Sequence, residues 1–429
     1  MKASKYNIYF NHLDKKIGYN TFSRQFIALD PELSSLFEAG INENNVEGLK
    51  EIHPDFYSFL IEKGFIIESE IDEFEKVKLL SQKIDNDDSS FRLHINPTMN
   101  CNFKCWYCYE THIKDSKMSS ITINKTLQFV ENIFKEKKGL KEFHLGWFGG
   151  EPLLYFEKVI KPLLTKIRSM AEEYKISFSS AITTNGLLVN QEVIDISKKN
   201  GLDFFQITLD GNEEQHNKVR FISKEKGSYK QIVENIILIA KNKINVQARI
   251  NCSVETLMGL NDVVLDFEQL NSEERSYLHF DLHKVWQVTT DLDEQLSKSR
   301  DYFKKKGFTV SGGFHDTVMS SCYGDKRNHA TINYNGEVFK CTARDFTSSN
   351  KEGVLNQDGK IIWNEKFEKR LNSKFKNKPC MDCKILPICG GGCSQQALEH
   401  EGVDYCVHDF NEEKKLEMVK ERFFQTVMV

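Results

Sequence analysis

Between residues 89 and 310 of this 429-residue chain, strand-like runs alternate with amphipathic helical stretches, and that alternation constrains the fold more than any other feature. The runs fall at 92–95, 143–148, 176–183, 204–209, 246–252 and 278–285, with helices expected over 122–137, 155–174, 190–199 and 229–241. The last helix places Ile232, Ile236, Ile237 and Ala240 at helical spacing on one face. Strands joined in this way pair in parallel, so the expected class is α/β, a partial (β/α)6 TIM-like barrel whose ligands gather beyond the carboxyl ends of the strands. Residues 1–88 read differently. Three short strands, 6–10, 16–20 and 25–29, precede helices that open at Asp30-Pro31 and at Pro54. That order predicts a winged-helix-like domain, whose edge strand can take an extended peptide as one more strand. The acidic stretch from Asp85 to Asp88 reads as the linker to the barrel.

The chemistry is carried by cysteine. The chain has eleven, no apolar signal core at its start and no apolar run near the roughly 20 residues of a membrane span. These features predict a cytoplasmic protein whose cysteines ligate metal or react rather than form disulfides. A net charge of −4 provides no basic field for nucleic acid. Cys101-x3-Cys105-x2-Cys108 follows the first strand-like run, where a barrel places ligand loops. Three thiolates on one loop suit three corners of an iron–sulfur cube, leaving one iron open to a small molecule. Other strand ends carry suitable polar groups. Gly149-Gly150-Glu151-Pro152 follows the second run, Thr183-Thr184-Asn185 the third, and Asp210, with His216 and Arg220, the fourth; Arg249 lies on the fifth. Each of these also reads as a capped turn or a structural ion pair. Past residue 310 come Cys322, Cys341, Cys380, Cys383, Cys389, Cys393 and Cys406. Asn335-Gly336 marks a tight hairpin between 330–334 and 337–340, and Cys252, in an apolar strand, reads as a small buried hydrophobe. A four-cysteine zinc site is the alternative for this region, and with it a non-catalytic peptide-binding protein.

Taken together these motifs resemble the radical SAM enzymes with a SPASM extension that modify peptides or proteins. The resemblance rests on Cys101, Cys105 and Cys108, on Gly149 to Pro152, and on the seven late cysteines with Gly336 five residues before Cys341. It implies a barrel over 89–310, a SPASM domain with a terminal helix over 311–429, and a leader-peptide recognition domain over 1–88. By the same resemblance the loop cysteines bind a 4Fe-4S cluster, and S-adenosylmethionine is bound by Tyr107, Gly149, Gly150, Glu151, Pro152, Thr183, Thr184 and Asn185; Asp210 and Arg249 join that expected set as polar groups of the fourth and fifth strands. Two further 4Fe-4S clusters are implied: an outer one on Cys380, Cys383, Cys389 and Cys406, and an inner one on Cys322, Cys341 and Cys393. The chain departs from relatives that carry an eighth cysteine shortly before the position of Cys322; residues 316–321 contain none, which leaves the inner cluster three cysteines and His315 or Asp316 as neighbours. The implied function is a radical peptide maturase in which a 5′-deoxyadenosyl radical abstracts hydrogen from a precursor peptide before crosslink or thioether formation. A flavodoxin or ferredoxin would supply the electron. An anaerobic sulfatase-type maturase forming formylglycine is the alternative enzyme.

Overall fold

The computed structural model describes residues 1–223, 225–312 and 315–427. The chain divides into two compact units: Met1–Asp87 with Gly313–Arg327 and Glu368–Val429, and Asp88–Gly312 with Asn328–Phe367.

The second unit is built on one eleven-stranded sheet. Its strands are β1 (Ser90–Ile95), β2 (Glu142–Trp147), β3 (Ser177–Thr184), β4 (Leu202–Leu209), β5 (Asn245–Cys252), β6 (Leu278–Lys284), β7 (Thr309–Ser311), β8 (His329–Ile332), β9 (Glu337–Phe339), β10 (Gly353–Leu355) and β11 (Ile361–Trp363). The order across the sheet is β7-β6-β5-β4-β3-β2-β1-β8-β9-β10-β11. Strands β1 to β8 pair in parallel, with β8 returning beside β1; the last three are antiparallel. The six expected parallel strands are all present. The hairpin around Asn335-Gly336 is present too, but its first strand extends the barrel sheet through the His329–Arg92 to Ile332–Ile95 register.

Strand periodicity explains where the core sits. On β5, Val246, Ala248, Ile250 and Cys252 are buried against the helical layer, while Gln247, Arg249 and Asn251 on the other face are half-buried. On β6 the buried set is Leu278, Phe280 and Leu282, and the inner set is His279, Asp281 and His283. The apolar face carries the stabilising burial, worth roughly 25 cal/mol per Å² removed from water. The inner face is polar, unlike the packed interior of a closed eightfold barrel.

One expected helix is broken. In place of a single helix over 155–174 there is a 3-10 turn at Pro152–Tyr155, a π-helical stretch at Phe156–Ile160 and an α-helix at Lys161–Glu173. Pro162 lacks the N–H that an uninterrupted α-helix would use there, so the preceding turn widens. The helix Asp293–Lys305 and strand β7 lie beyond the last expected strand.

In the first unit, strands Asn7–His12, Lys15–Asn20 and Gln25–Leu29 form an antiparallel sheet with Lys15–Asn20 in the centre. One face packs Ile27 and Leu29 on Phe37, Phe56 and Leu60 of the following helices. The other packs Phe10, Ile17 and Tyr19 on Ile385, Ile388, Val419 and Phe423, so the cysteine-rich tail and the last helix, Glu412–Val427, share a core with the N-terminal sheet. A helix not expected from the sequence, Glu73–Asp85, completes the unit; only Val77 and Ser81 on it are buried, too narrow a stripe to stand out against its charge. No helix among the described residues is long and apolar enough to cross a membrane.

Candidate active site

The cysteine loop leaves the carboxyl end of β1, and the loop after β2 fixes its first turn by backbone contact. Gly150 N–H donates to Thr98 O at 3.1 Å and Glu151 N–H to Asn100 O at 2.8 Å. A Cβ on Gly150 would lie 2.3 Å from Asn100 O, and one on Gly149, whose φ is +103°, would lie 2.5 Å from Thr98 O. Both glycines are therefore required by the approach of the two loops to one another.

Glu151 is fully buried. Its carboxylate accepts from the Thr184 hydroxyl at 2.7 Å, the Asn185 N–H at 2.7 Å and the Leu153 N–H at 2.9 Å. Burial pushes its pKa up, and those three donors oppose the shift. The side chain is turned into the protein, where it ties the end of β3 to the loop after β2, and Pro152 beside it is buried at the start of the 3-10 turn. Asn185 in turn donates to the Asn102 side chain at 2.7 Å.

A second knot lies under the loop. Tyr107 Oη donates to Asp210 Oδ1 at 2.6 Å, Arg220 Nε to Asp210 Oδ2 at 2.7 Å, and Arg220 Nη2 to Tyr107 Oη at 2.8 Å. His216, also buried, accepts the Asp210 N–H at Nδ1, and its Nε2 lies 3.0 Å from Ser228 Oγ, whose hydroxyl donates to Arg220 O. This circuit assigns the ring proton to Nε2.

None of the three thiols is in a disulfide; Cys101 and Cys105 are half-buried and Cys108 is exposed. Burial pushes Cys101 up to about 12 and Cys108 up to about 11, and raises Cys105 as well, so each is protonated until a metal displaces the proton. His112 Nε2 lies 3.5 Å from Cys108 Sγ. The far end of the loop is pinned to the segment after β9: Tyr109 Oη donates to Thr342 O at 2.8 Å, and Thr111 N–H and Oγ1 donate to Asp345 at 2.9 and 2.5 Å. Cys341 precedes Thr342 in that segment.

The structure thus joins Cys101, Cys105, Cys108, Tyr107 and Asp210 in one cluster, and Gly149, Gly150, Glu151, Thr184 and Asn185 in a second that meets the same loop. Thr183 is half-buried on the inner face of β3. Arg249 is on the inner face of β5, in register with Thr208 and Asp281, and joins neither cluster in the described hydrogen bonds. Asn102 and Asn100 carry no motif signal and were not expected to contribute.

In the first unit, Cys383 and Cys406 act electrostatically on Cys380, and Cys380 and Cys383 act on Cys389. Gly390, Gly391 and Gly392 all have positive φ (63°, 73° and 83°), which turns the N–H groups of Gly391 and Gly392 toward the Cys389 sulfur. Asn377 Nδ2 lies 3.0 Å from Cys380 Sγ. Asp325 donates its N–H to Cys322 O at 2.9 Å and accepts at 2.9 Å the N–H of Ser394, the residue after Cys393. Asp316 pairs with Arg24, and His315 is exposed. Cys252 is fully buried in the core of the barrel unit.

Residues 95–271 match the model of the Radical SAM superfamily. The chain is 23% identical over 414 residues to the radical SAM cyclopropyl synthase TigE of Paramaledivibacter caminithermalis, covering 89% of this chain and 83% of that protein. It is 23% identical over 343 residues to the cysteine-type anaerobic sulfatase-maturating enzyme of Clostridium novyi, covering 71% and 88%. Its fold is similar to that of Streptococcus suis SuiB, with a TM-score of 0.54, 17% identity and coverage of 95% of this chain and 98% of that one. These likenesses set aside the non-catalytic zinc reading. A barrel sheet with a three-cysteine loop at its carboxyl edge, over the span that the superfamily model matches, makes residues 95–271 a radical SAM enzyme domain.

Proposed function

We propose that this chain is a peptide maturase: its N-terminal sheet captures the leader of a ribosomally made precursor peptide, and a radical modifies the core of that peptide. The observation that carries the reading is the cysteine-free antiparallel sheet of residues 7–29, whose outer strands Asn7–His12 and Gln25–Leu29 each pair on one side only. Such an edge takes an extended peptide through main-chain hydrogen bonds. SuiB, similar in fold across 94–95% of this chain, has also been solved bound to its precursor peptide SuiA, which supports the reading.

The residues fit a cluster. Three reduced thiols share one short loop, and no three described His, Cys, Asp or Glu side chains converge as they would on a single metal ion. Three thiolates on one loop suit a cluster in which each binds a different iron. A 4Fe-4S cluster and S-adenosylmethionine, bound together, supply a 5′-deoxyadenosyl radical that removes hydrogen from the substrate. Cys101, Cys105 and Cys108 would hold the cluster. The backbone of Gly149 and Gly150, Thr183 and Arg249 would meet the cofactor's polar groups. Glu151, Thr184 and Asn185 would keep the loop in place, and Tyr107 would present a ring anchored by Asp210. In the tail, Cys380, Cys383, Cys389 and Cys406 would hold an outer cluster that exchanges electrons with a flavodoxin- or ferredoxin-class donor.

The test is anaerobic. Purified protein given S-adenosylmethionine and dithionite should release 5′-deoxyadenosine, and co-expression with a short peptide encoded beside it should change that peptide's mass. An unchanged mass for every neighbouring peptide overturns the peptide reading. The likeness to the Clostridium novyi protein favours a second reading, which oxidation of a cysteine-containing sulfatase peptide to formylglycine would support.

A further inference from the structure

Asn377 stands just before the short helix Lys378–Met381, which carries Cys380, yet its side chain does not cap that helix. An asparagine in that place ordinarily offers its carbonyl oxygen to the N–H groups of the first turn. Here both ends of the amide go instead to Tyr405, the residue before Cys406. Nδ2 donates to Tyr405 O at 2.7 Å, and Oδ1 accepts the Tyr405 N–H at 3.3 Å. These two contacts fix which way the amide faces, since the reverse orientation would set two carbonyl oxygens against each other. The same Nδ2 lies 3.0 Å from Cys380 Sγ, so the sulfur meets a donor. One side chain thereby ties Cys380 to the segment that carries Cys406. Gly391 closes on the sulfur from a third segment. A Cβ on it would lie 3.3 Å from Cys380 Sγ, and its carbonyl accepts from Tyr405 Oη at 3.0 Å. A thiol held between a fixed N–H and a close glycine backbone fits a cluster ligand, whose sulfur still accepts hydrogen bonds once it has bound iron.

We infer that Asn377 is a positioning residue of the outer cluster: it joins Cys380 to the Cys406 segment, and its N–H···S hydrogen bond raises that cluster's reduction potential. The inference rests on the reading of Cys380, Cys383, Cys389 and Cys406 as ligands of one 4Fe-4S cluster. Ligation makes the Cys380 sulfur a thiolate, and reduction adds one more negative charge to the cluster and its sulfurs. A hydrogen bond strengthens as its acceptor gains negative charge, so the N–H favours the reduced state over the oxidised one. One electron enters, from a flavodoxin- or ferredoxin-class donor in use or from dithionite in the test. No proton accompanies it, because a carboxamide does not titrate.

The test is a redox titration of the anaerobically reconstituted full chain, followed by electron paramagnetic resonance. The signal that Cys383→Ala alters, and that S-adenosylmethionine leaves unchanged, belongs to this cluster. Asn377→Leu keeps the shape of the side chain without its hydrogen bonds. It should lower the reduced-to-oxidised ratio at fixed potential about tenfold, a midpoint about 59 mV more negative. Asn377→Asp sets a carboxylate oxygen against the sulfur and should lower the ratio further. Midpoints within error of wild type in both variants overturn the inference. Should neither variant take up the cluster, pulsed resonance on the wild-type chain grown with isotope-labelled asparagine decides: an asparagine nitrogen coupled to that signal supports the inference, and the absence of any such coupling is fatal to it. A wild-type chain whose late cysteines hold zinc, with no signal that Cys383→Ala alters, would instead overturn the reading of the tail and the inference with it.

Discussion

Asn185 donates its side-chain N–H to Asn102 at 2.7 Å, so the end of β3 holds the residue immediately after the first cysteine of the loop. The same Asn185 is fixed by Glu151 through its backbone N–H. Replacing Asn185 by Ala removes the tie without opening a large cavity, and should cost about 1 kcal/mol of stability. The larger effect falls on the loop: iron per chain after reconstitution should drop severalfold. Full iron content in Asn185→Ala would show that the loop holds its shape without it.

Gly150→Ala places a methyl group 2.3 Å from the Asn100 carbonyl oxygen, a backbone atom that cannot rotate away. The two loops must separate, and the hydrogen bond from Glu151 N–H to Asn100 O breaks with them. We expect at least 2 kcal/mol of destabilisation, measured by chemical denaturation.

Lys374 lies between Asp85 at 3.1 Å and Asp325 at 3.2 Å, all within the first unit and all at most 16% exposed. Lys374→Met fills the same space but strands two carboxylates without their cation. The cost should be about 3–5 kcal/mol. Adding Asp325→Asn to Lys374→Met should recover part of it, and two denaturation curves settle the comparison.

Several histidines should weaken the fold in acid, three of them most strongly. Burial holds His216 well below its usual value, pushes His94 down to about 3, and pushes His283 down to about 4. Each stays neutral in the folded chain under conditions that protonate it in the unfolded chain. The unfolded state therefore binds more protons below about pH 6.5, and stability falls as the pH drops through that point; above it these residues contribute no slope. Denaturation at about pH 7.5 and about pH 5 should show the loss, and His216→Asn should make the pH dependence shallower.

Cys252 is fully buried on the apolar face of β5 and accounts for the one cysteine outside every ligand set. Cys252→Ala should leave iron and sulfide content unchanged and cost about 1 kcal/mol. A loss of one cluster's worth of iron would make it a ligand after all.

Strands β1 to β5 were legible because amphipathic helices separate them, and the helix at Tyr229–Lys241 falls on the residues its spacing predicts; β7 and β8, also parallel, are only three and four residues long, and β7 was not expected and β8 only as a hairpin strand. Short strands such as Gly353–Leu355 were not legible, since three residues show no period. At the site, cysteine spacing and the Gly149-Gly150 pair pointed to the right loops. The direction in which Glu151 points was hidden, because sequence cannot say whether a carboxylate at a strand end faces a ligand or the N–H groups of the next loop. Asn102 was missed for a similar reason: its role depends on Asn185, 83 residues away in sequence.

The alternation along β4, β5 and β6 also bears on how such a barrel diversifies. Residues that keep the sheet on its helices, such as Ile207, Ile250 and Phe280, are fully buried, whereas Gln206, Gln247 and His279 on the opposite face touch little of the core. Exchanging Gln206 or Gln247 should cost less than exchanging Ile207 or Ile250, which the buried face depends on. Stability and selectivity are thus written on different letters of the same strands. A lineage can revise one without rewriting the other, and a designer can vary the inner positions combinatorially while leaving the outer ones fixed.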